Sequence, residues 1–104
     1  MTNDDISDDL EITKVTRRTT CGGAWVRGRI AGHRFEALVF AEHAENPEWE
    51  IGDSRISKLW VQRLADKANT YNWDRGLDVP AADATTQAIV DFLCAGLAEH
   101  TYAE

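Results

Sequence analysis

Between Trp25 and Asp78 the chain writes four short runs in which apolar and polar residues alternate with a period of two, and one stretch of helical spacing follows them. Period-two alternation sends successive side chains to opposite faces of a strand. Strands joined in series and closed by one helix predict a two-layer α+β domain. The expected architecture is an antiparallel four-stranded meander with one C-terminal helix packed on one face. A fifth, edge strand is available in Leu10–Thr20, whose β-branched residues suit one.

The runs are Trp25–Ala31, Phe35–Ala41, Ile56–Arg63 and Thr70–Asp74. Gly32-His33 falls where two of them need a tight connection, the signature of a hairpin. The second strand is apolar on both faces and therefore needs cover above and below. In the third, Leu59 and Val61 share one face, and Ile56, Lys58 and Trp60 share the other. Glu42–Arg55 is a long connection, and long connections in a compact domain are often functional. Arg75–Pro80 reads as an exit loop, because Pro80 cannot pair within a sheet. Asp83 or Thr85 is placed to cap a helix running to about Tyr102. Its packing stripe is Ile89, Val90, Leu93 and Leu97. The sequence contains no internal repeat.

A single helix covers one sheet face. Alternation puts Trp25, Phe40, Trp60 and one of Tyr71 and Trp73 on the other, among Arg27, Arg29, Glu36 and Lys58. Trp and Arg favour the centres of protein interfaces, so this face is the expected docking surface. Trp49 in the long loop and Arg75 after the fourth strand join it as candidate partner-binding residues. Trp49 reads equally as a core plug or an exposed anchor. A homodimer through the open face, a foreign protein, and a folded-back N-terminal segment each answer the need for cover.

Charge narrows the partners. The formal net charge is −7, with five acids and no base in residues 1–11. Residues 1–10 read as an acidic, solvated, disordered tail, and 11–104 as one α+β domain. An acidic whole disfavours nucleic acid, since neutralising phosphates takes a surplus of Lys and Arg. Direct nucleic-acid binding through Arg27, Arg29, Arg34 and Lys58 would require a basic stripe in spite of that balance. No apolar run approaches membrane-spanning length, and two distant cysteines match no disulfide framework. A cytoplasmic protein with free thiols is expected.

Chemical signals are sparse. His33, His43 and His100 are scattered without a partner at metal-ligand spacing, so neither a metal nor a cofactor is expected. The glycines form no phosphate-cradling loop. The densest polar cluster is Tyr71–Gly76, closed by Asp78. There Arg75 is either an anion contact held by Asp74 or Asp78, or a surface ion pair at a strand end. A small enzyme would have to gather Arg75, Asp74, Asp78 and His33 in one pocket.

Gly28–Ala37 (GRIAGHRFEA), Val39-Phe40, Ser54–Val61 (SRISKLWV) and Tyr71–Gly76 (YNWDRG) together resemble a family of small uncharacterised bacterial proteins common in phages and other mobile elements. The resemblance spans about Trp25 to Asp78, half the chain, and brings no activity or site residue. It implies a mobile-element setting, in which an acidic inhibitor of a host defence protein, such as an anti-CRISPR, is one expectation. The residues point to a non-enzymatic protein-binding module.

Overall fold

The computed structural model describes residues 10–19 and 22–102. Residues 1–9 of the expected acidic tail and Cys21 lie outside the described residues, whereas Leu10 packs against the core. Six strands form one open antiparallel sheet in sequence order: β1 (Glu11–Arg17), β2 (Ala24–Ile30), β3 (His33–Val39), β4 (Ile56–Arg63), β5 (Asn69–Asp74) and β6 (Leu77–Val79). One helix follows, α1 (Ala84–Tyr102). The α+β plan and the meander match expectation, but the strand count of four or five does not. The Leu10–Thr20 segment supplies the edge strand β1. The supposed exit loop supplies β6, because Arg75-Gly76 turns the chain back so that Leu77 pairs with Trp73 and Val79 with Asn72. Pro80 lies just beyond β6, which is an edge strand, and so breaks no ladder.

Local chemistry explains the joints. The β2–β3 hairpin turns through Ala31 (φ 52°) and Gly32 (φ 75°), both left-handed, as a two-residue primed turn requires. Asp66 closes the β4–β5 turn by accepting from Ala68 N at 3.1 Å. Asp83 caps α1, its Oδ1 accepting from Thr86 N at 2.8 Å. That bond from the Thr86 backbone amide leads the effects that hold the Asp83 carboxyl below its ordinary value. The same carboxylate pairs with Arg63 at 3.0 Å, tying the helix start to the end of β4.

The core lies between α1 and one sheet face. Ile89, Val90, Leu93 and Leu97 are all buried, against Val26, Ile30, Phe35, Ala37, Val39, Leu59 and Val61. Tyr102 locks the C-terminal turn to the sheet through a 2.8 Å bond from its hydroxyl to Val39 O. Gly28 is a packing necessity. A Cβ there would stand 2.6 Å from the Glu11 carbonyl oxygen and 2.8 Å from the Phe35 ring. Bare backbone lets Phe35 cross over β2 beneath the edge strand.

Bulges change which residues share a face. Val39 pairs with Ile56 while Leu38 pairs with Lys58, so Ser57 is the extra residue. That bulge returns Ile56 to the core, where it is fully buried, instead of leaving it with Lys58 and Trp60 as strict alternation predicted.

Candidate functional site

The face opposite α1 is built by cross-strand rows. Trp25, Leu38, Lys58 and Asp74 form one row; Lys14, Arg27, Glu36, Trp60 and Asn72 form the next; Glu11, Arg29, Arg34 and Gln62 form the third. Residues directly opposite on adjacent strands point to the same side, so each row is a contiguous strip of surface. Trp25 and Trp60 are half-buried, Arg27 and Arg29 exposed, and Leu38 buried between Trp25 and Lys58. Trp60 is held rigidly: its Nε1 donates to Asn69 Oδ1 at 2.9 Å, and the Arg34 guanidinium lies 5.3 Å from its ring centre. Arg34 in turn donates to Gln62 Oε1 at 3.0 Å. Two exposed ion pairs, Arg27–Glu36 at 3.3 Å and Lys58–Asp74 at 3.7 Å, cross the face. Such pairs contribute little stability in water.

The face runs into a cleft of about 890 Å³ whose lining includes Leu38, Phe40, Trp49, Arg55, Lys58 and Arg75. The loop between β3 and β4 frames it, and Glu50 holds that loop together. The Glu50 carboxylate is only 4% exposed and accepts from His43 Nδ1 (3.0 Å), Ala44 N (2.7 Å) and Arg55 N (2.7 Å). Burial alone would raise this carboxyl. The bond from His43 and those from the two backbone amides outweigh burial and hold it below the ordinary glutamate value. Asn46 starts a short 3₁₀ turn over Pro47–Trp49 by accepting from Glu48 N. That turn presents Trp49 at 42% exposure, with the Arg75 guanidinium 5.8 Å from its ring centre. Trp49 is thus exposed and does not plug the core.

The cations segregate. Of the eleven lysines and arginines, all but Arg63 and Lys67 lie on the open face or line the cleft. Acids Glu11, Glu36 and Asp74 punctuate the face, and Glu42 and Glu45 stand at the cleft. Asp83, Asp91 and Glu99 belong to the helix side. Among the described residues the open face and the cleft are therefore cation-rich, with Arg17 reaching α1, where it donates to Thr101 O at 3.3 Å and lies over the Tyr102 ring.

Eight of the nine residues expected to bind a partner fall into this continuous surface: Trp25, Arg27, Arg29, Phe40, Trp49, Lys58, Trp60 and Arg75. Trp73 does not. Tyr71 pairs with Val61 and Trp73 with Leu59, so both point toward the helix, and neither reaches the open face. Residues two apart on a strand must share a face, which rules out splitting this pair. Trp73 instead lines a second recess of about 560 Å³ beside α1, with Tyr71 and Cys94, and its buried Nε1 has no hydrogen-bond partner among the described residues. Burial lifts the Tyr71 hydroxyl to about 12 and the Cys94 thiol to about 11.

The supposed pairing of Arg75 with Asp74 or Asp78 is also absent. Asp74 faces Lys58, Asp78 accepts from Asn72 at 3.4 Å, and Arg75 leans over Trp49. His33 is buried, its Nδ1 2.8 Å from Ala31 O. His33, in register with Arg63, lies at the other end of the sheet from Asp74, in register with Lys58, so the four groups do not line one pocket. Among the described residues no three His, Cys, Asp or Glu side chains stand close enough to share a metal ion, and no helix is long and apolar enough to cross a membrane. Alternation could not locate Arg17, Arg18 and Arg55 in the cleft, since the first two depend on β1 pairing and Arg55 sits in a loop with φ 65°.

The family model of a domain of unknown function, DUF7678, matches residues 24–98. No curated protein and no solved structure matches the chain.

Proposed function

The chain belongs to this DUF7678 family, and we propose that it is a non-enzymatic docking module whose open sheet face seats an acidic partner protein. The observation that carries this reading is the convergence of Trp25, Trp60, Arg27, Arg29 and Arg34 on the one sheet face that no described element covers. Rigid indoles and guanidinium forks are the side chains that contribute most at the centres of interfaces. The punctuating acids Glu36 and Asp74 suit a protein, which can match a mosaic of both signs. A phosphate backbone carries one sign only and would be repelled by them.

The same charge weighs against a second copy of the chain as the occupant. Two-fold self-docking would oppose two cation-rich faces, a like-charge arrangement that costs association energy. In the mobile-element setting implied by the resemblance, the partner is a host protein. An inhibitor that imitates nucleic acid would instead have to use the carboxylates of the helix side. The dispersal of His33, Asp74, Arg75 and Asp78 weighs against the enzymatic alternative.

The test is charge reversal with a matched control. Arg27→Glu with Arg29→Glu should abolish recovery of a specific co-purifying acidic protein and keep a cooperative melting curve, lowered only by the like charges set opposite Glu36 and Glu11. Gln87→Lys with Asp91→Lys, on the exposed side of α1, should recover it normally. Equal recovery by both variants would refute the assignment of the face.

A further inference from the structure

We propose that the cleft at the foot of the open face is a binding site for a nucleoside monophosphate, with the phosphate on Arg75 and Lys58 and the base against Trp49. The inference goes beyond the docking reading, since a small ligand in the cleft and a protein on the sheet are separate occupants. At about 890 Å³ the cleft has the size of a small-molecule site.

Three observations select the ligand. The first is backbone strain spent on arginine. Arg55 (φ 65°) and Arg75 (φ 55°) both line the cleft in the left-handed region, where glycine is the undemanding residue. The Arg55 guanidinium has a structural use, donating to Ala41 O at 2.7 Å. That of Arg75 forms no ion pair among the described residues, although its backbone is pinned by a 3.0 Å bond from its N–H to Ser57 O. A guanidinium held at a cleft wall with its fork uncommitted is a phosphate receptor.

The second observation is the neighbour. Lys58 stands in register with Asp74, the residue before Arg75, and reaches it only at 3.7 Å with both side chains substantially exposed. A phosphate can displace so weak a pair and recruit the ammonium. The third is the aromatic wall. Arg75 lies over the Trp49 ring, which keeps 42% exposure. The indole surface left open beside that guanidinium gives a planar base a stacking surface. Glu42 and Glu45, also in the lining, offer acceptors to ribose hydroxyls.

The full chain should be titrated calorimetrically at low salt with AMP, adenosine, inorganic phosphate and a 5′-phosphorylated oligonucleotide. AMP is expected to bind one to one, with adenosine and inorganic phosphate each weaker by about tenfold or more, since each lacks one half of the contacts. Arg75→Gly should weaken AMP by about tenfold while leaving the melting curve intact, because glycine relieves the left-handed backbone. Trp49→Leu should weaken AMP but not inorganic phosphate, and Arg27→Glu with Arg29→Glu should leave AMP unaffected even if protein docking is lost. An oligonucleotide matching AMP in affinity, and losing it in Arg75→Gly, also supports the site and assigns the nucleotide to a strand end. No AMP binding at millimolar concentration, AMP binding unchanged in Arg75→Gly, or oligonucleotide binding indifferent to that change overturns the proposal.

Discussion

Replacing Glu50 by Gln tests how the cleft is held. The wild-type carboxylate accepts three N–H bonds while almost fully buried. Oε1 takes both His43 Nδ1 and Arg55 N, and Oε2 takes Ala44 N. A glutamine keeps one oxygen, and its best placement preserves the Oε1 pair and turns the NH₂ toward the Ala44 N–H. Leaving that amide without an acceptor costs about 1–3 kcal/mol, and the two surviving bonds lose the strengthening of a charged acceptor. A total of about 2–4 kcal/mol is expected. Urea unfolding at pH 7 measures it directly. The pH dependence gives a second reading. Because the folded-state value of Glu50 lies below its unfolded value of about 4.5, its contribution is fully present above that value and is lost as pH falls through the lower, folded one. The gap between wild type and Glu50→Gln should therefore narrow on acidification below about pH 4.5. A variant within about 0.5 kcal/mol of wild type at pH 7, or a gap that widens in acid, would refute the keystone role of this carboxylate.

Other outcomes follow from the packing. Gly28→Ala should destabilise by about 1–3 kcal/mol in urea titration, since the new methyl meets the Glu11 carbonyl and the Phe35 ring at once. Leu93→Asp puts an unpaired charge in the core, costs about 3–5 kcal/mol or more, and should abolish cooperative melting followed by circular dichroism. In a Cys21→Ser background, Cys94 should react with a thiol reagent at pH 8 far more slowly in folded than in unfolded protein, because burial lifts its thiol to about 11. Removing residues 1–9 takes away four carboxylates, and the shortened chain should bind a polyanion such as heparin more tightly at low salt by retention chromatography.

Much of this fold was legible from alternation and turn chemistry. The β2–β3 hairpin, the α1 stripe and the Trp25–Arg27–Arg29 face all follow from side-chain period and from Gly32 at a left-handed position. Reading failed where pairing, not pattern, decides. The three-residue β6 is too short to show a period and exists because Arg75-Gly76 turns it onto β5. Ile56 crossed to the core because Ser57 bulges, an event set by the β3 ladder and invisible in the run itself. Trp73 was separable from the open face by parity alone, since it must follow Tyr71. The cleft was the least legible feature: Trp49, Arg55 and Arg75 meet there only because the buried Glu50 folds the loop and two arginines take left-handed backbone.

Site-directed photocrosslinking in cells that carry the gene tests the central claim most directly, with a photoreactive residue placed in turn at Arg29, Gln62 and Asn72 on the open face and at Gln87, Asp91 and Glu99 on α1. The account predicts a discrete crosslinked protein from the sheet positions and none from the helix positions. Adducts confined to α1 would contradict it.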